Sequence, residues 1–531
     1  MTKKKKGKKM EKRRYTRTAD QGNGTYINPI LWGQYSDPSI MRDGDDYYLM
    51  SNYSTVYHSM DLVNWEYLYT LSPQTRAAGL EPWAPDLVKV GDTYYYYCYS
   101  EKGGMNLFVM TTKDIKNGPW SDPVIMGKAG QTPEGDELID PALIIGPDGK
   151  RYLFMSKNYI YPLTDDGMAL AGEAVRVLDD YEFPDDWDIE GVYTEGPHFT
   201  KRNGYYYLLI AAGGTMGPPT AHGVFSYRAK DPMGPWEESP YNPIVCCRSR
   251  KETWWTKGHA SFIDTPDDEW YIIYHGILNG YINQGRMLLM EPIEWTDDGW
   301  FRIPEGQMPD QPLPMPKHGK WVQHGYPIDY DFTKKEFSPA WRAASDGTTF
   351  LSPDPSIAER FKDMKFTDEG LVIKGQGEFL HDTQPLVLEA GFKNFEVVTK
   401  LRISGDAGGG LTMYFNKWNC CGIQLRGDLV RVYDSHKPLL EKRFNMREWD
   451  SDTIYLKLRN FDQVVSPWYS SDGINWHKIN VCAFIEPYNS HACYPSSCVS
   501  WIRPGIFAVG DGEVVFESFS MRELDENGDP V

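Results

Sequence analysis

The sequence predicts an all-β protein in which a five-bladed β-propeller is followed by a β-sandwich domain. Three observations support this fold class. One unit of about 50 to 60 residues recurs five times in roughly the first 300 residues, short alternating strands fill the last part of the chain, and aromatic residues make up 14% of the 531 residues. Aromatic side chains fill β-rich cores, and their faces also stack on sugar rings.

Each repeated unit opens with a short head of polar, small and proline residues, followed by a strand, a tight turn and an aromatic strand. The heads are Asp37-Pro38-Ser39-Ile40, Ala84-Pro85-Asp86-Leu87, Asp140-Pro141-Ala142-Leu143, Glu195-Gly196-Pro197-His198 and His259-Ala260-Ser261-Phe262. Units of this length with about four short strands are typical of propeller blades arranged around a central axis. The five heads therefore predict five blades.

The heads also predict where the functional residues lie. The innermost strand of each blade runs beside the axis, so residues at its start should meet at one mouth of the central channel. The residues expected there are Asp37, Asp86 or its neighbours, Asp140, Glu195 and His259. A single Asp-Pro pair is a common turn initiator, but acids gathered at one mouth repel each other and so favour a functional explanation.

The chain divides into four regions. Residues 1–20 are predicted to be a basic disordered tail, residues 21–303 the propeller, residues 304–325 a proline-rich linker and residues 326–531 the sandwich. Residues 304–318 contain five prolines and little apolar periodicity, which indicates an extended linker. From Tyr330 onward, short segments of alternating hydrophobicity recur at the spacing of sandwich strands.

Charge and cysteine content exclude several classes of partner. The net charge is −19 although residues 1–18 contain ten Lys and Arg, so the body of the chain should repel nucleic acid and anionic membranes. The chain as given has neither a long apolar run nor a signal peptide, which predicts a cytoplasmic protein, or a secreted one if a signal has been removed. The eight cysteines include no CxxC and are expected to be mostly reduced, although a Cys493–Cys498 bridge is left open.

Specific segments, in order and at blade spacing, give a resemblance to a known family. They are NPILWGQYSDPSI (28–40), HSMDLVNWE (58–66), WAPDL (83–87), IDPAL (139–143), EGPHF (195–199), GGT (213–215), GHASF (258–262) and Gly285-Arg286. Together they resemble the catalytic domain of glycoside hydrolase family 43, a five-bladed propeller found in β-xylosidases, α-L-arabinofuranosidases and arabinanases. The C-terminal region resembles the concanavalin-A-like sandwich that follows this propeller in many β-xylosidases.

The resemblance implies three catalytic carboxyl groups. Asp37 matches the general base that activates water, and Glu195 matches the general acid, which must be protonated near neutral pH and therefore needs a raised pKa. Asp140 matches a third acid whose negative charge raises the pKa of Glu195 and helps to orient it. The alternative for each residue is a structural turn acid.

Three further residues are implied with weaker support. Trp83 would form an apolar platform for the terminal sugar, or would pack inside a blade. Arg286 matches an arginine that reaches substrate hydroxyls and the catalytic carboxylates, or would form a surface ion pair. His259 resembles a channel histidine that contacts calcium or another ion through water, or would be a hydrogen-bonded core histidine.

The sequence thus predicts an exo-acting inverting glycosidase that releases xylose or arabinose from plant hemicellulose oligosaccharides. Oligosaccharide or polysaccharide is the expected partner, no cofactor is expected to be required, and a structural calcium ion could lie in the channel. The alternatives are a non-catalytic carbohydrate-binding propeller and a family member that acts on galactan or arabinan. The segment MGPPTAH (216–222) departs from the β-xylosidase pattern, and residues 491–501 are a candidate for the active-site rim.

Overall fold

The computed structural model describes residues 13–51, 54–101, 104–215, 222–344, 364–435, 437–443, 453–489, 493 and 501–531. It confirms the predicted fold class, since strands dominate and the one α-helix among these residues, Ser72–Ala77, is a single short element. The 3-10 turns are Ser156–Asn158, Ile282–Gln284, Phe332–Lys334 and Leu380–Asp382. Within the described chain, no helix has the length and apolar character that crossing a bilayer requires.

Five antiparallel sheets form the blades of the propeller. Blade 1 contains Ser39–Asp43, Asp46–Met50, Thr55–Ser59 and Glu66–Thr70, and blade 2 contains Pro82–Val90, Thr93–Ser100, Asn106–Thr112 and Val124–Lys128. Blade 3 contains Ala142–Ile145, Arg151–Met155, Tyr159–Pro162 and Val175–Arg176. Blade 4 contains Thr194–Arg202, Tyr205–Ala212, Gly223–Ala229, Glu237–Glu238 and the additional strand Val245–Cys246, and blade 5 contains Trp254–Asp264, Trp270–Leu278, Met287–Trp295 and Phe301–Arg302.

The aromatic second strands fill the spaces between blades. In Thr93–Ser100, the side chains after Thr93 are all buried, and Tyr96 and Tyr97 point into apolar clusters on opposite faces of blade 2. A strand that packs on both faces needs large apolar side chains at successive positions rather than in alternation. This requirement explains the runs of tyrosine that follow the heads of blades 1, 2 and 4.

The five heads share one backbone conformation. Positive φ angles occur at Asp37 (55°), Ala84 (34°), Asp140 (56°), Gly196 (59°) and His259 (52°), which are therefore equivalent positions in the five blades. Two acids expected at the channel mouth, Asp86 and Glu195, do not occupy these equivalent positions. Asp86 lies two residues after Ala84, and Glu195 lies one residue before Gly196, because the backbone bend falls on the residue that precedes proline or alanine.

Side chains two residues after these positions join neighbouring blades, and we call this set of hydrogen bonds the channel belt. Backbone N–H groups donate from Leu87 to Ser39 Oγ (2.9 Å), from Leu143 to Asp86 Oδ2 (2.8 Å) and from Phe262 to His198 Nδ1 (3.2 Å). Ser261 Oγ donates to the Pro38 carbonyl (2.6 Å) and links blade 5 to blade 1. The belt therefore fixes the innermost strands, and with them the heads, relative to one another.

The N-terminal segment closes the ring onto blade 5. Leu31 pairs with Leu288 in an isolated antiparallel bridge, and Ile30 N–H donates to the Leu288 carbonyl. Further along, Tyr35 N–H donates to the carbonyl of Arg286. The chain thus runs beside the last blade before it enters the first one.

The tail and linker regions are more ordered than the sequence analysis predicts. Residues 1–12 lie outside the described part, but Arg14 forms an ion pair with Asp329 (2.6 Å), and Thr16 N–H donates to the Tyr326 carbonyl. Within the 304–325 linker, the strand Leu313–Pro314 pairs with Thr25–Tyr26. The charge of the tail and the proline content of the linker suggested segments without fixed contacts. In the structure, both segments form backbone hydrogen bonds to neighbouring parts of the chain.

In the C-terminal domain, the described residues form one hydrogen-bonded network of fourteen strands. They are Asp329–Asp331, Trp341–Ala343, Met364–Thr367, Gly370–Lys374, Leu386–Leu388, Phe395–Asn416, Asn419–Arg426, Leu429–Asp434, Lys437–Arg443, Ile454–Phe461, Val464–Ser470, His477–Lys478, Ala483–Phe484 and Arg503–Glu523. The two longest strands, of 22 and 21 residues, pair with each other and connect the two layers of the sandwich. Gly510, at φ 79°, lies where they bend, and a Cβ there would approach the Asp406 carbonyl oxygen to 2.2 Å.

Candidate active site

The heads of blades 1, 3 and 5 bring two carboxyl groups and an imidazole into contact. His259 Nδ1 lies 3.2 Å from Asp37 Oδ1 and 3.9 Å from Asp140 Oδ2. All three side chains are nearly buried, and Glu195 from blade 4 is close enough to interact electrostatically with His259 and Asp140. Four of the residues expected at the channel mouth are therefore neighbours in the structure.

Asp37 is surrounded by positive charge and hydrogen-bond donors. Arg286 donates from Nη1 to Oδ1 and from Nη2 to Oδ2, both at 3.2 Å, and this fork matches the planar carboxylate. Burial opposes ionisation of Asp37, but Arg286 and His259 outweigh it and hold the pKa of this carboxyl well below its ordinary value. Asp37 is therefore a carboxylate throughout the neutral range.

Asp140 has the opposite protonation preference. Burial raises its pKa to about 7, and among the neighbouring charges His259 lowers the pKa while Glu195 and Asp37 raise it. Its Oδ2 accepts a hydrogen bond from the backbone N–H of Gly196 at 3.0 Å. Asp140 is thus tied to the residue that directly follows Glu195.

Glu195 occupies the edge of this cluster rather than its centre. Its side chain is 22% exposed, and Oε1 lies 3.6 Å from Nε2 of the fully buried His222. At Gly196 a Cβ would approach the His259 ring to 2.7 Å, so only glycine allows the chain to turn here against His259. The displacement of Glu195 by one residue therefore leaves its carboxyl group partly open to solvent while its backbone stays at the channel mouth.

The predicted contact of His259 with calcium or another ion through water stays a prediction, and the structure describes the protein groups around the ring. Burial lowers its pKa, but the charge of Asp37 outweighs this effect and raises it to about 9, so the ring is protonated at neutral pH. Calcium takes six to eight oxygen ligands, and the described residues include no group of three or more His, Cys, Asp or Glu arranged to hold a metal ion. The structure places His259 as a hydrogen-bonding partner of Asp37.

Several site residues were not predicted from the sequence. His275 Nδ1 lies 3.2 Å from the backbone nitrogen of Asp37 and 3.3 Å from its Oδ1, and Thr215 Oγ1 accepts a hydrogen bond from Arg286 Nη1 at 3.1 Å. His222 stacks on His275 with ring centroids 5.2 Å apart. The sequence contains one hint for each of two of these residues. His275 is a polar residue near the end of an otherwise apolar strand, and Thr215 is the last residue of the GGT motif.

Trp83 is described in full, whereas the segments 216–222 and 491–501 are described only in part. Trp83 lies directly before Ala84, is partly buried and packs edge-on against Tyr99, with ring centroids 6.0 Å apart, so its role as a sugar platform stays a prediction. Of the segment 216–222, only His222 is described, and of the proposed rim 491–501, only Cys493 and Trp501. The seven described cysteines are free, and Cys498 lies outside the described residues.

Comparison with protein families and curated proteins gives consistent matches. Residues 26–301 match the model of glycosyl hydrolases family 43. A non-reducing end α-L-arabinofuranosidase from Bacteroides ovatus is 31% identical over 340 residues, and the match spans 60% of each chain. A xylan 1,3-β-xylosidase from a Vibrio species is 27% identical over 523 residues, covering 86% of this chain and 90% of that protein.

Solved structures match both domains of the chain. The GH43 BlXynB protein from Bacillus licheniformis superposes with a TM-score of 0.75 at 23% identity, covering 94% of this chain and 99% of that one. A xylan β-1,4-xylosidase from Bacillus halodurans gives a TM-score of 0.73 at 22% identity, covering 94% and 100%. At these identities the matches show a common two-domain fold.

Proposed function

The chain belongs to family 43 of the glycosyl hydrolases, and from this premise we propose that it is an exo-acting, inverting glycosidase that releases xylose or arabinose from plant hemicellulose oligosaccharides. Relatives named as arabinofuranosidase and β-xylosidase support pentosides as the substrate class. Their names do not distinguish between the two sugars, and this choice is the first question for experiment.

The observation that carries the proposal is the unequal environment of two carboxyl groups at one mouth. Asp37 is held as an anion by Arg286 and His259, whereas Glu195 is partly exposed and lies beside an imidazole. Inverting hydrolysis needs one carboxylate that takes a proton from water and one carboxylic acid that protonates the leaving oxygen. The surroundings suit Asp37 to the first role and leave Glu195 for the second.

The other groups of the site support these two roles. Arg286 and His259 keep Asp37 ionised and fix its orientation, so that this carboxylate can take a proton from a water molecule as the water attacks the anomeric carbon. Asp140 accepts a hydrogen bond from Gly196 N–H and so helps to position the backbone beside Glu195. Burial raises the pKa of Asp140, and the neighbouring charge of Glu195 acts in the same direction, so the two carboxyl groups interact electrostatically.

A panel of p-nitrophenyl glycosides tests the substrate class. We expect hydrolysis of the β-D-xylopyranoside, the α-L-arabinofuranoside or both, with little activity on hexosides. Robust glucosidase or galactosidase activity with none on pentosides would contradict the proposed specificity and leave the family assignment intact.

Proton NMR of the early reaction mixture tests the mechanism. A single displacement by water should release the sugar with the anomeric configuration opposite to that of the substrate, and added alcohol should give no transglycosylation product. An initial product that keeps the configuration would require a covalent glycosyl intermediate. The roles given to Asp37 and Glu195 would then have to be abandoned.

A further inference from the structure

A short segment of blade 5 connects the sandwich domain to the arginine of the active site. Residues 280–284, which we call the cross-domain segment, end two positions before Arg286 and include the 3-10 turn Ile282–Gln284. Four side-chain hydrogen bonds join it to the sandwich: Tyr281 to Asp462 (3.0 Å), Gln463 to the Gly280 carbonyl (2.9 Å), Asn283 to the Ile485 carbonyl (2.6 Å) and Gln284 to the Lys393 carbonyl (3.2 Å).

Asn283 is the most firmly held residue of this segment. Its side-chain Nδ2 donates to the Ile485 carbonyl, and its own carbonyl accepts a hydrogen bond from Ile502 N–H at 2.8 Å. The two partners come from separate parts of the sandwich, and Asn283 is only 1% exposed. Buried hydrogen bonds restrict position strongly because no water can replace them when they break.

The backbone between Asn283 and Arg286 has little freedom to absorb a displacement. Gly285, at φ 89°, packs so closely on Gly33 that a Cβ there would approach the Gly33 carbonyl carbon to 2.9 Å. Arg286 N–H donates to Gln34 Oε1 at 2.9 Å, and its guanidinium group then reaches Asp37. A shift at Asn283 should therefore move the base of the Arg286 side chain.

We infer that Asn283 is a positioning residue through which the sandwich domain holds Arg286 against Asp37. The sandwich then contributes to the reaction without touching the substrate here, because Asn283 fixes the position of Arg286 and Arg286 binds the general base Asp37. This inference rests on the proposed function, since the base role of Asp37 belongs to that function.

A double-mutant cycle tests the inference in the full-length protein. We expect Asn283→Ala to lower kcat/KM on a p-nitrophenyl pentoside by about 10- to 100-fold, with the loss divided between kcat and KM as it is in Arg286→Ala. In the Arg286→Ala background the same change should cost less than about 3-fold, because contacting or serially linked residues are non-additive. Equal losses in both backgrounds would mean that Asn283 acts only on overall structure, and the inference would be wrong.

Hydrogen exchange gives a readout that does not depend on activity. In Asn283→Ala, the amides of residues 285–288 should exchange faster than in the wild type, while amides of blades 2 and 3 should be unchanged. Unchanged protection at residues 285–288 would overturn the inference. The matched control is Gln463→Ala, which removes another hydrogen bond to the cross-domain segment but keeps both bonds of Asn283, and it should leave kcat/KM and this exchange close to wild type.

Two outcomes separate this inference from the proposed function. A wild-type protein without pentosidase activity would contradict the function, and hydrogen exchange would still decide whether Asn283 fixes the Arg286 backbone. If Asn283→Ala does not fold, Asn283→Asp keeps the side-chain shape but places an oxygen against the Ile485 carbonyl. This variant must then show the faster exchange at residues 285–288, and normal protection there would reject the inference.

Discussion

Asp37 and Asp140 occupy equivalent positions in blades 1 and 3, yet their carboxyl groups have opposite pKa shifts. Both are buried, so burial alone would raise the pKa of each. The difference arises because Arg286 reaches Asp37 from blade 5 while Asp140 interacts mainly with one imidazole and two other acids. At the level of single residues, protonation is therefore decided by side chains from other blades.

The first prediction at this scale separates the acid from the base. Glu195→Ala should lose about 100- to 10,000-fold in kcat on xylo- or arabino-oligosaccharides but much less on activated aryl glycosides, because only poor leaving groups need a proton in the transition state. Asp37→Ala should lose activity on both, since water must be activated whatever group leaves. Steady-state rates of each variant on both substrate types provide the measurement. If Glu195→Ala loses the same factor in kcat on oligosaccharides and on aryl glycosides, Glu195 is not the general acid.

The second prediction concerns the coupling between Asp140 and Glu195. Burial raises the pKa of Asp140 to about 7, so its negative charge is present on the alkaline side of neutrality, close to the carboxyl group of Glu195. Asp140→Asn removes this charge while an amide oxygen can still accept from Gly196 N–H. The alkaline limb of the kcat/KM profile should therefore move to lower pH by about one unit. An active variant with an unmoved limb would limit Asp140 to a positioning role.

At the scale of elements, the heads and the channel belt divide two tasks between residues of the same strand. In blades 1, 3 and 5 the residue with positive φ presents a polar side chain to the mouth, and in every blade except blade 3 the side chain two positions later bonds to a neighbouring blade. In blade 2, Ala84 stands at the first position and Asp86 at the second. Asp86 therefore has a structural role, because its carboxyl group accepts a hydrogen bond from Leu143 N–H of blade 3.

The third prediction follows from the burial of Asp86. Burial raises its pKa to about 7, well above the value in an unfolded chain, so the folded state prefers the protonated carboxyl group. Its contribution to stability is then fully present below about pH 4 and is lost as the pH rises to about 7, at up to roughly 1.4 kcal/mol per pH unit. Asp86→Asn should therefore gain stability over the wild type from pH 4 to pH 7.

Urea unfolding at several pH values measures this difference. The amide of Asp86→Asn can still accept from Leu143 N–H, so this link of the channel belt should be kept. Asp148→Asn, on an exposed turn between the first two strands of blade 3, serves as the control and should show no comparable gain between pH 4 and pH 7. A constant difference between Asp86→Asn and wild type over this range would refute a buried, protonated Asp86.

At the scale of the whole molecule, one large apolar cluster extends from the propeller into the sandwich. A continuous buried cluster includes Ile40 and Tyr47 of blade 1, Leu288 of blade 5, and Leu371 and Phe516 of the sandwich. Arg14, from the segment assigned to the tail, also pairs with Asp329 at the start of the sandwich. Neither domain therefore has a fully separate core.

The fourth prediction is that propeller and sandwich unfold together. Separation of the domains would expose apolar surface from both of them, which costs about 25 cal/mol per Å². Differential scanning calorimetry of the full chain should then show one main transition. Two transitions that remain independent when either domain is destabilised by mutation would contradict this coupling.

The sequence predicted the propeller because its heads recur at blade spacing, and it predicted the meeting of Asp37, Asp140 and His259 because equivalent residues of blades share one mouth. It could not predict the offset of Glu195, which depends on the left-handed turn at Gly196 against His259. It also could not predict His222, which reaches Glu195 from just before the third strand of the same blade, or His275, whose contact with Asp37 forms only when blades 5 and 1 come together. The same limit applies to Asn283, whose partners belong to the other domain.

The shared backbone conformation of the five heads has a consequence for how such an active site can diversify. The fold requires a positive φ at these positions but accepts Asp, Ala, Asp, Gly and His there. Geometry is thus inherited from the repeat, while the side chain differs from blade to blade, and glycine is required only where the chain turns against His259. A duplicated blade could in this way supply a new functional group at the mouth without any change in the architecture that presents it.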